Sequence, residues 1–333
     1  MTKNTLQLSI ALTDNVRTRP IIEGRISPQG VRLLPSVMSA SEMFLRQLKF
    51  AEFDISEMSL SSLFISVSQG DWRWVALPIY TMRRFFHTWS WIRTDRGINS
   101  PVDLRGRKVG VPEYQQTAAI WTRGILQHEF GVAPQEITWF MERTPETSHG
   151  SATGFKPPPG VTIHAIPAHT NIGEMLVSGE LDATLLYLNE KNIVDRSSID
   201  LSSQPNIAPM FADEFAEGQR FFAKTGLYPI NHAMVIRRSL LEDHPWLALN
   251  ILEAFNAAKA EAARVATGVL DSYIRTGLAD VKVLNTLKTD PMPYGIKAAR
   301  QVLETIADWV HEQGLSAHRV KLEDIFAHST IEV

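Results

Sequence analysis

Four short segments of this chain concentrate side chains able to hold an anion or move a proton. In Glu57-Met58-Ser59-Leu60-Ser61-Ser62, three hydroxyls sit at what reads as a tight turn into a helix, where unpaired first-turn amides favour a carboxylate. The plainer role for Ser59 is to cap that helix. In Arg83-Arg84-Phe85-Phe86-His87, a guanidinium fork suits bidentate carboxylate binding, and a histidine can exchange protons near neutral pH. Strand alternation would put Arg83, Phe85 and His87 on one face; a surface arginine pair beside a structural histidine is the plainer alternative. Val111-Pro112-Glu113-Tyr114-Gln115-Gln116-Thr117 gathers a carboxylate, a phenol, two amides and a hydroxyl at a strand-to-helix turn, and is the most site-like of the four. Its simplest alternative is a polar helix start in which Glu113 complements the helix dipole. Tyr228-Pro229-Ile230-Asn231-His232 adds one more histidine, although a lone strand histidine is more often a satisfied core residue.

Other chemistries are excluded by what the chain lacks. With no cysteine among 333 residues there are no disulfides, thiolate nucleophiles, Cys-ligated zinc or iron–sulfur clusters. There is no G-x-S-x-G elbow, G-x-G-x-x-G turn, Walker loop or H-E-x-x-H helix. His164 and His169 are close in sequence, but a strand end followed by Pro167 does not fix them on one face, so no metal pair is expected. Lys plus Arg (33) nearly balance Asp plus Glu (36), for a formal charge of −3, which gives no reason to expect nucleic acid or an anionic membrane as partner. An acidic ligand must therefore be held by local positive groups.

The elements that position these segments read as alternating strands and helices, the mark of an α/β layer architecture. A strand over 6–12 and another over 30–35 precede Ser39-Ala40-Ser41-Glu42, a capping box opening a helix to about Phe50. A short strand Phe53–Ser56, a helix over 60–69 and a strand Trp74–Ile79 follow. A long extended stretch, Phe86–Thr94, reads as a crossing into a second lobe, where a strand to Val111 feeds a helix from about Gln116 to Phe130, stopped by Gly131. Residues 143–160, ending in Pro157-Pro158-Pro159-Gly160, read as a surface loop. Strand 161–166, helix 171–178 and strand 181–186 complete that lobe, and Asn231–Arg237 crosses back before a helix of about twenty residues from Pro245. The expected division is one lobe of 1–90 plus 232–333 and another of 91–231, with the ligand between them. The opening Met1-Thr2-Lys3-Asn4 runs straight into the first strand without an apolar export region, and no apolar stretch would span a bilayer. A cytoplasmic protein is expected, with room for homo-oligomerisation.

At these segments the chain resembles the 4,5-dihydroxyphthalate decarboxylase family, enzymes of the type II periplasmic-binding-protein fold. The resemblance rests on Glu52-Phe53-Asp54-Ile55-Ser56-Glu57-Met58-Ser59-Leu60-Ser61-Ser62, on Gly110-Val111-Pro112-Glu113-Tyr114-Gln115 continuing to Trp121 and Arg123-Gly124-Ile125-Leu126, and on His311-Glu312-Gln313-Gly314-Leu315 with Phe326-Ala327-His328-Ser329-Thr330. Where the family favours a second arginine immediately before the histidine of its Arg-x-Phe-Arg-His stretch, this chain has Phe86; the region 143–160 also differs. The resemblance implies non-oxidative loss of CO2 from a small aromatic acid carrying vicinal carboxylates and a catechol, without redox cofactor, pyridoxal or metal. It assigns anchoring to Arg83, Ser59, Ser61, Ser62, Tyr114, Gln115 and Thr117. It assigns proton transfer to His87, Glu113 and His232, leaving open which is acid and which is base. A solute-binding protein that captures an aromatic or sulfonated anion without chemistry is the alternative the same fold allows.

Overall fold

The computed structural model describes residues 5–333 and shows two separate sheets flanked by helices. In chain order the strands are β1 Leu6–Leu12, β2 Val31–Val37, β3 Ile55–Ser59, β4 Trp74–Arg83, β5 Trp91–Arg93, β6 Lys108–Val111, β7 Thr138–Met141, β8 Thr162–Ala165, β9 Ala183–Thr184, β10 Ile207–Pro209 and β11 Ile230–Arg237. One sheet runs β2-β1-β3-β11-β4 and the other β10-β5-β9-β6-β7-β8. The chain thus leaves the first sheet after β4, builds the second, and returns as β11 between β3 and β4, antiparallel to both. Residues 1–4, read as running into β1, lie outside the described residues.

Burial explains the strands. Leu8, Ile10 and Leu12 of β1 and nearly the whole of β4 are removed from water, so the apolar runs lie where helices cover the sheet. The β4 edge is not left open: Ala76 bridges to Phe326, so the chain end covers it. The helix Ala40–Phe50 starts where the Ser-x-x-Glu spacing predicts, with Ser39 Oγ accepting the Glu42 amide. The helix Thr117–Phe130 ends on Gly131 in the left-handed region. Midway along it, Gly124 lets Trp309 of the helix Ile296–Glu312 lie against the backbone; a Cβ there would come within 2.0 Å of the indole. Among the described residues no helix is long and apolar enough to cross a membrane.

Four readings are corrected. Glu57, Met58 and Ser59 are strand, not turn: β3 runs straight into the helix Leu60–Ser68, because pairing with β11 continues through Ser59. The stretch Phe86–Thr94 is not extended: after β4 the chain coils into a 3₁₀ turn at Phe86–Thr88 before the three residues of β5. Arg83, Phe85 and His87 therefore share no strand face. The helix after Pro245 spans Leu247–Arg275, longer than expected. Finally, residues 143–160 are not all a surface excursion, since Arg143, Ser148, His149 and Thr153 are buried.

Candidate active site

A cavity of about 400 Å³ lies between the two sheets, within the range of small-molecule sites. The first turns of the helices Ala40–Phe50 and Thr117–Phe130 reach it through Ser39, Ser41, Thr117 and Ala118, bringing amides that favour an anion. Met82, Arg84, Asn231 and His232, at the ends of the strands that cross between sheets, form its floor. Arg84 stacks on Trp89, with 3.8 Å from guanidinium to ring centroid, and among the described residues has no ion-pair partner. Asn231 Oδ1 and Gln116 Oε1 are buried without partners. These are groups that a ligand would satisfy.

His232 and Glu57 form a dyad at one wall. His232 stands opposite Ser59 across the β3–β11 pair, which puts Glu57 diagonal to it on the same face. Register shifts flank His232 on its β4 side and aim the ring toward the cavity. Its Nδ1 lies 3.3 Å from Glu57 Oε2, and its ring meets Phe44 edge-on. Among the described residues Nε2 has no hydrogen-bond partner, and His232 is the only histidine lining the cavity. The Glu57 carboxylate is fully buried; Oε1 accepts the Thr13 amide and hydroxyl, and Oε2 accepts the Thr81 hydroxyl, each at 2.6 Å. Burial pushes Glu57 up, but the hydrogen bond and charge of His232 and the two threonines outweigh it, so the carboxyl sits below its ordinary value. The result is an ionised carboxylate behind an imidazole whose free nitrogen faces the cavity, an arrangement suited to proton transfer. Tyr187, on the opposite wall, is pushed up to about 12 by burial and stays neutral.

A second charged cluster closes the cavity from the side. Arg143 is fully buried and donates to Glu113 Oε2 (2.9 Å), Asp195 Oδ1 (2.7 Å) and Ser41 Oγ (2.8 Å). Glu113 also accepts the Ser148 hydroxyl and the amides of His149 (3.1 Å) and Gly150 (2.7 Å). His149 Nε2 reaches the Ser41 carbonyl at 3.0 Å. Residues 143–153, carried from the second sheet, are thereby clasped to the start of a helix on the first. Burial drives His149 down to about 4, so its ring is neutral at neutral pH and Arg143 is the cation that matters. Burial raises Glu113, yet the Arg143 charge and the Ser148 and Gly150 hydrogen bonds, joined by His149 only when that ring is protonated, hold it below its ordinary value.

Of the ten residues singled out in the sequence, Ser59, Thr117 and His232 line the cavity. Ser59 Oγ meets Thr117 Oγ1 at 2.8 Å across the two sheets and accepts the Thr117 amide at 3.4 Å, but does not cap the helix Leu60–Ser68 that follows it. Ser61 joins the same contact, donating to the Gln115 carbonyl at 2.7 Å, while Ser62 is buried behind it. Gln115 takes the Thr153 hydroxyl at 2.8 Å, and Tyr114 lies under the Arg123 guanidinium, both away from the cavity. Glu113 has its lone pairs filled by the clasp, so it is not free to carry a proton. His87 sits in an aromatic nest with Nε2 on Glu217 at 3.1 Å. Arg83 turns away, donating to the Pro293 carbonyl at 3.1 Å. The residue beside it, Arg84, takes the place expected for Arg83. Glu57, Arg84, Asn231 and Arg143 were missed; Glu57, Arg84 and Asn231 stood inside quoted segments, and only three-dimensional pairing marks them.

Comparison with known proteins decides the family. The chain is 32% identical over 332 residues to the 4,5-dihydroxyphthalate decarboxylase of Comamonas testosteroni, covering 98% of each. The chain belongs to the 4,5-dihydroxyphthalate decarboxylase family. The Pseudomonas putida member is 38% identical over 182 residues, 55% of this chain and 70% of that protein. No family model matches the chain. Among solved structures, the periplasmic aliphatic sulphonate binding protein SsuA of Escherichia coli superposes with a TM-score of 0.53 at 14% identity, covering 96% of this chain and 91% of that one. The desulfurization enzyme DszB gives 0.53 at 13% identity, covering 97% and 96%. These likenesses show the periplasmic-binding-protein-like fold of this family member.

Proposed function

We propose that this protein is a carboxy-lyase that converts 4,5-dihydroxyphthalate to protocatechuate and CO2. The observation that carries the mechanism is the Glu57–His232 dyad, with one imidazole nitrogen on a buried carboxylate and the other open to the cavity. Arg84 and the two helix starts hold the carboxylate that stays. A phenolic O–H para to the departing carboxylate yields its proton as electron density enters the ring, and the ring carbon bearing that carboxylate takes a proton. The C–C bond then breaks, its electron pair restores aromaticity, CO2 leaves, and the phenolate regains a proton. His232 is the proton-transfer group, and Glu57 orients it and offsets the positive charge it gains. In this reading Ser59 and Thr117 shape the site, while Glu113 positions residues 143–153.

The division of strands between the sheets supports a lobe of 1–90 with 232–333 closing on one of 91–231. A chain without cysteine accords with a cytoplasmic address. Incubating the purified protein with 4,5-dihydroxyphthalate, trapping CO2 and separating protocatechuate tests the reaction. Tight binding of the diacid with no CO2 released would replace the enzyme by a capture protein.

A further inference from the structure

A second and larger cavity, of about 770 Å³, lies beside the first. Along the end of β4 the side chains alternate: Met82 lines the cleft, and Arg83 lines the second cavity with Phe85 beyond it. Arg84 and Trp89, stacked on each other, belong to both walls and form the partition. The cavity is closed by the helix Glu214–Thr225, the 289–293 loop and the helix Ile296–Glu312.

Its lining combines apolar planes with a buried charge, Arg83, that lacks a counter-ion; Arg84, shared with the cleft and stacked on Trp89, also lines it. Phe85, Phe215, Phe222, Tyr228, Pro291 and Pro293 face it. Phe215 and Phe222 are 74% and 50% exposed, so the fold leaves two aromatic rings at the mouth without cover. Arg83 is only 7% exposed. It donates to the Pro293 carbonyl and lies over the Tyr80 ring, but its Nε is buried with no partner, and among the described residues it has no carboxylate counter-ion. The acids nearby are otherwise engaged: Glu214 accepts Trp89 Nε1 at 3.2 Å, and Asp290 holds Lys259 at 2.6 Å. A buried cation without a counter-ion is costly, and an anion that enters with its own apolar body relieves that cost.

We propose that this cavity is a second binding site, distinct from the cleft, for a small aromatic monocarboxylate. The ring lies between the phenyl and proline planes and the single carboxylate meets Arg83.

Benzoate is the probe, titrated calorimetrically into the full-length protein. It carries neither the hydroxyls nor the second carboxylate of the proposed substrate, so the titration stands even if no decarboxylation is found. Ala40→Trp plugs the cleft, Ala298→Trp fills the second cavity from an exposed helix position, and Arg83→Met removes the cation. The expected result is binding retained in Ala40→Trp, lost in Ala298→Trp, and weakened roughly ten- to hundredfold in Arg83→Met, the span of one charge-assisted hydrogen bond. Arg83→Met should fold, since it removes a buried charge that has no counter-ion; circular dichroism checks this, and Ala298→Trp decides alone if it does not. Absence of benzoate binding at millimolar concentration, binding abolished by Ala40→Trp, or binding untouched in Ala298→Trp would each overturn the proposal.

Discussion

Replacing Glu57 by Gln changes one atom of the dyad and should slow the reaction without emptying the site. Glu57 Oε1 accepts two donors from Thr13, and one of them, the backbone amide, can only donate. The Gln oxygen must therefore stay there, which puts the new NH2 where Oε2 faced the Thr81 hydroxyl and His232 Nδ1. An NH2 beside Nδ1 donates to it and moves the ring proton to Nε2, so the nitrogen facing the cavity can no longer accept. An imidazolium there also loses its counter-charge. A general acid or base contributes about 10²–10⁴-fold, and the wrong tautomer should cost much of that in kcat. KM should stay near wild type, because Arg84 and the helix starts are untouched. Rates follow from CO2 release, and the His232 ring ¹⁵N shifts report the tautomer, which a merely structural role would not move. An unchanged kcat in a protein whose His232 had switched tautomer would refute the reasoning.

His232→Asn should retain its fold and lose at least about 10²-fold in kcat, read in the same CO2 assay. Arg84→Met should raise KM for the diacid with kcat little changed, since an anchoring fork acts in ground and transition states alike; a kcat loss at constant KM would make Arg84 a transition-state group instead. Arg143→Met leaves Glu113 and Asp195 buried without a counter-ion, and urea unfolding should show a loss of about 3–5 kcal/mol. Stability should also fall with acidification in two stages. The unfolded chain protonates His149 near 6.5 while the folded chain resists to about 4, so stability is full above 6.5 and drops by up to about 3 kcal/mol toward pH 4. Glu57 and Glu113, held below their ordinary 4.5, add a further loss below that pH, and urea midpoints at stepped pH measure both stages.

Much of the frame was legible because local signals and burial agree. Ser39 with Glu42 marked a helix start, Gly131 a helix end, and the apolar run at 6–12 an inner strand. The site was legible by segment but not by residue. Reading β4 as passing into a long strand gave parity to Arg83, Phe85 and His87, whereas a 3₁₀ turn after Arg83 gives Arg84 to the cleft and His87 to Glu217. Glu57 looked like a turn residue because Glu-Met-Ser before a serine pair carries no strand signal; it is pairing with β11, from the far end of the chain, that holds it extended. Arg143–Thr153 looked like loop for the same reason: its glycine, proline, serines and threonines predict no ladder, and its burial comes from one guanidinium meeting two carboxylates. The resemblance segments near 121–126 and 311–315 have a packing basis, since Arg123 bonds Gln313 at 2.9 Å and Gly124 receives Trp309.

Phe86, the position that departs from the pattern the resemblance implies, makes sense inside the cleft. It packs with Ala118 and Leu186, and Met82, Trp89 and Leu188 lie against them, so an apolar patch shares the cavity with Arg84 and His232. A carboxylate held at such a patch loses hydration, whereas neutral CO2 and the aromatic ring do not need it, so this surface favours the product side of C–C cleavage. In the proposed mechanism the cleft divides its labour by polarity: a cation and two helix starts for the carboxylate that remains, an apolar patch for the one that leaves, and an imidazole fixed by a buried carboxylate to deliver the proton that replaces it.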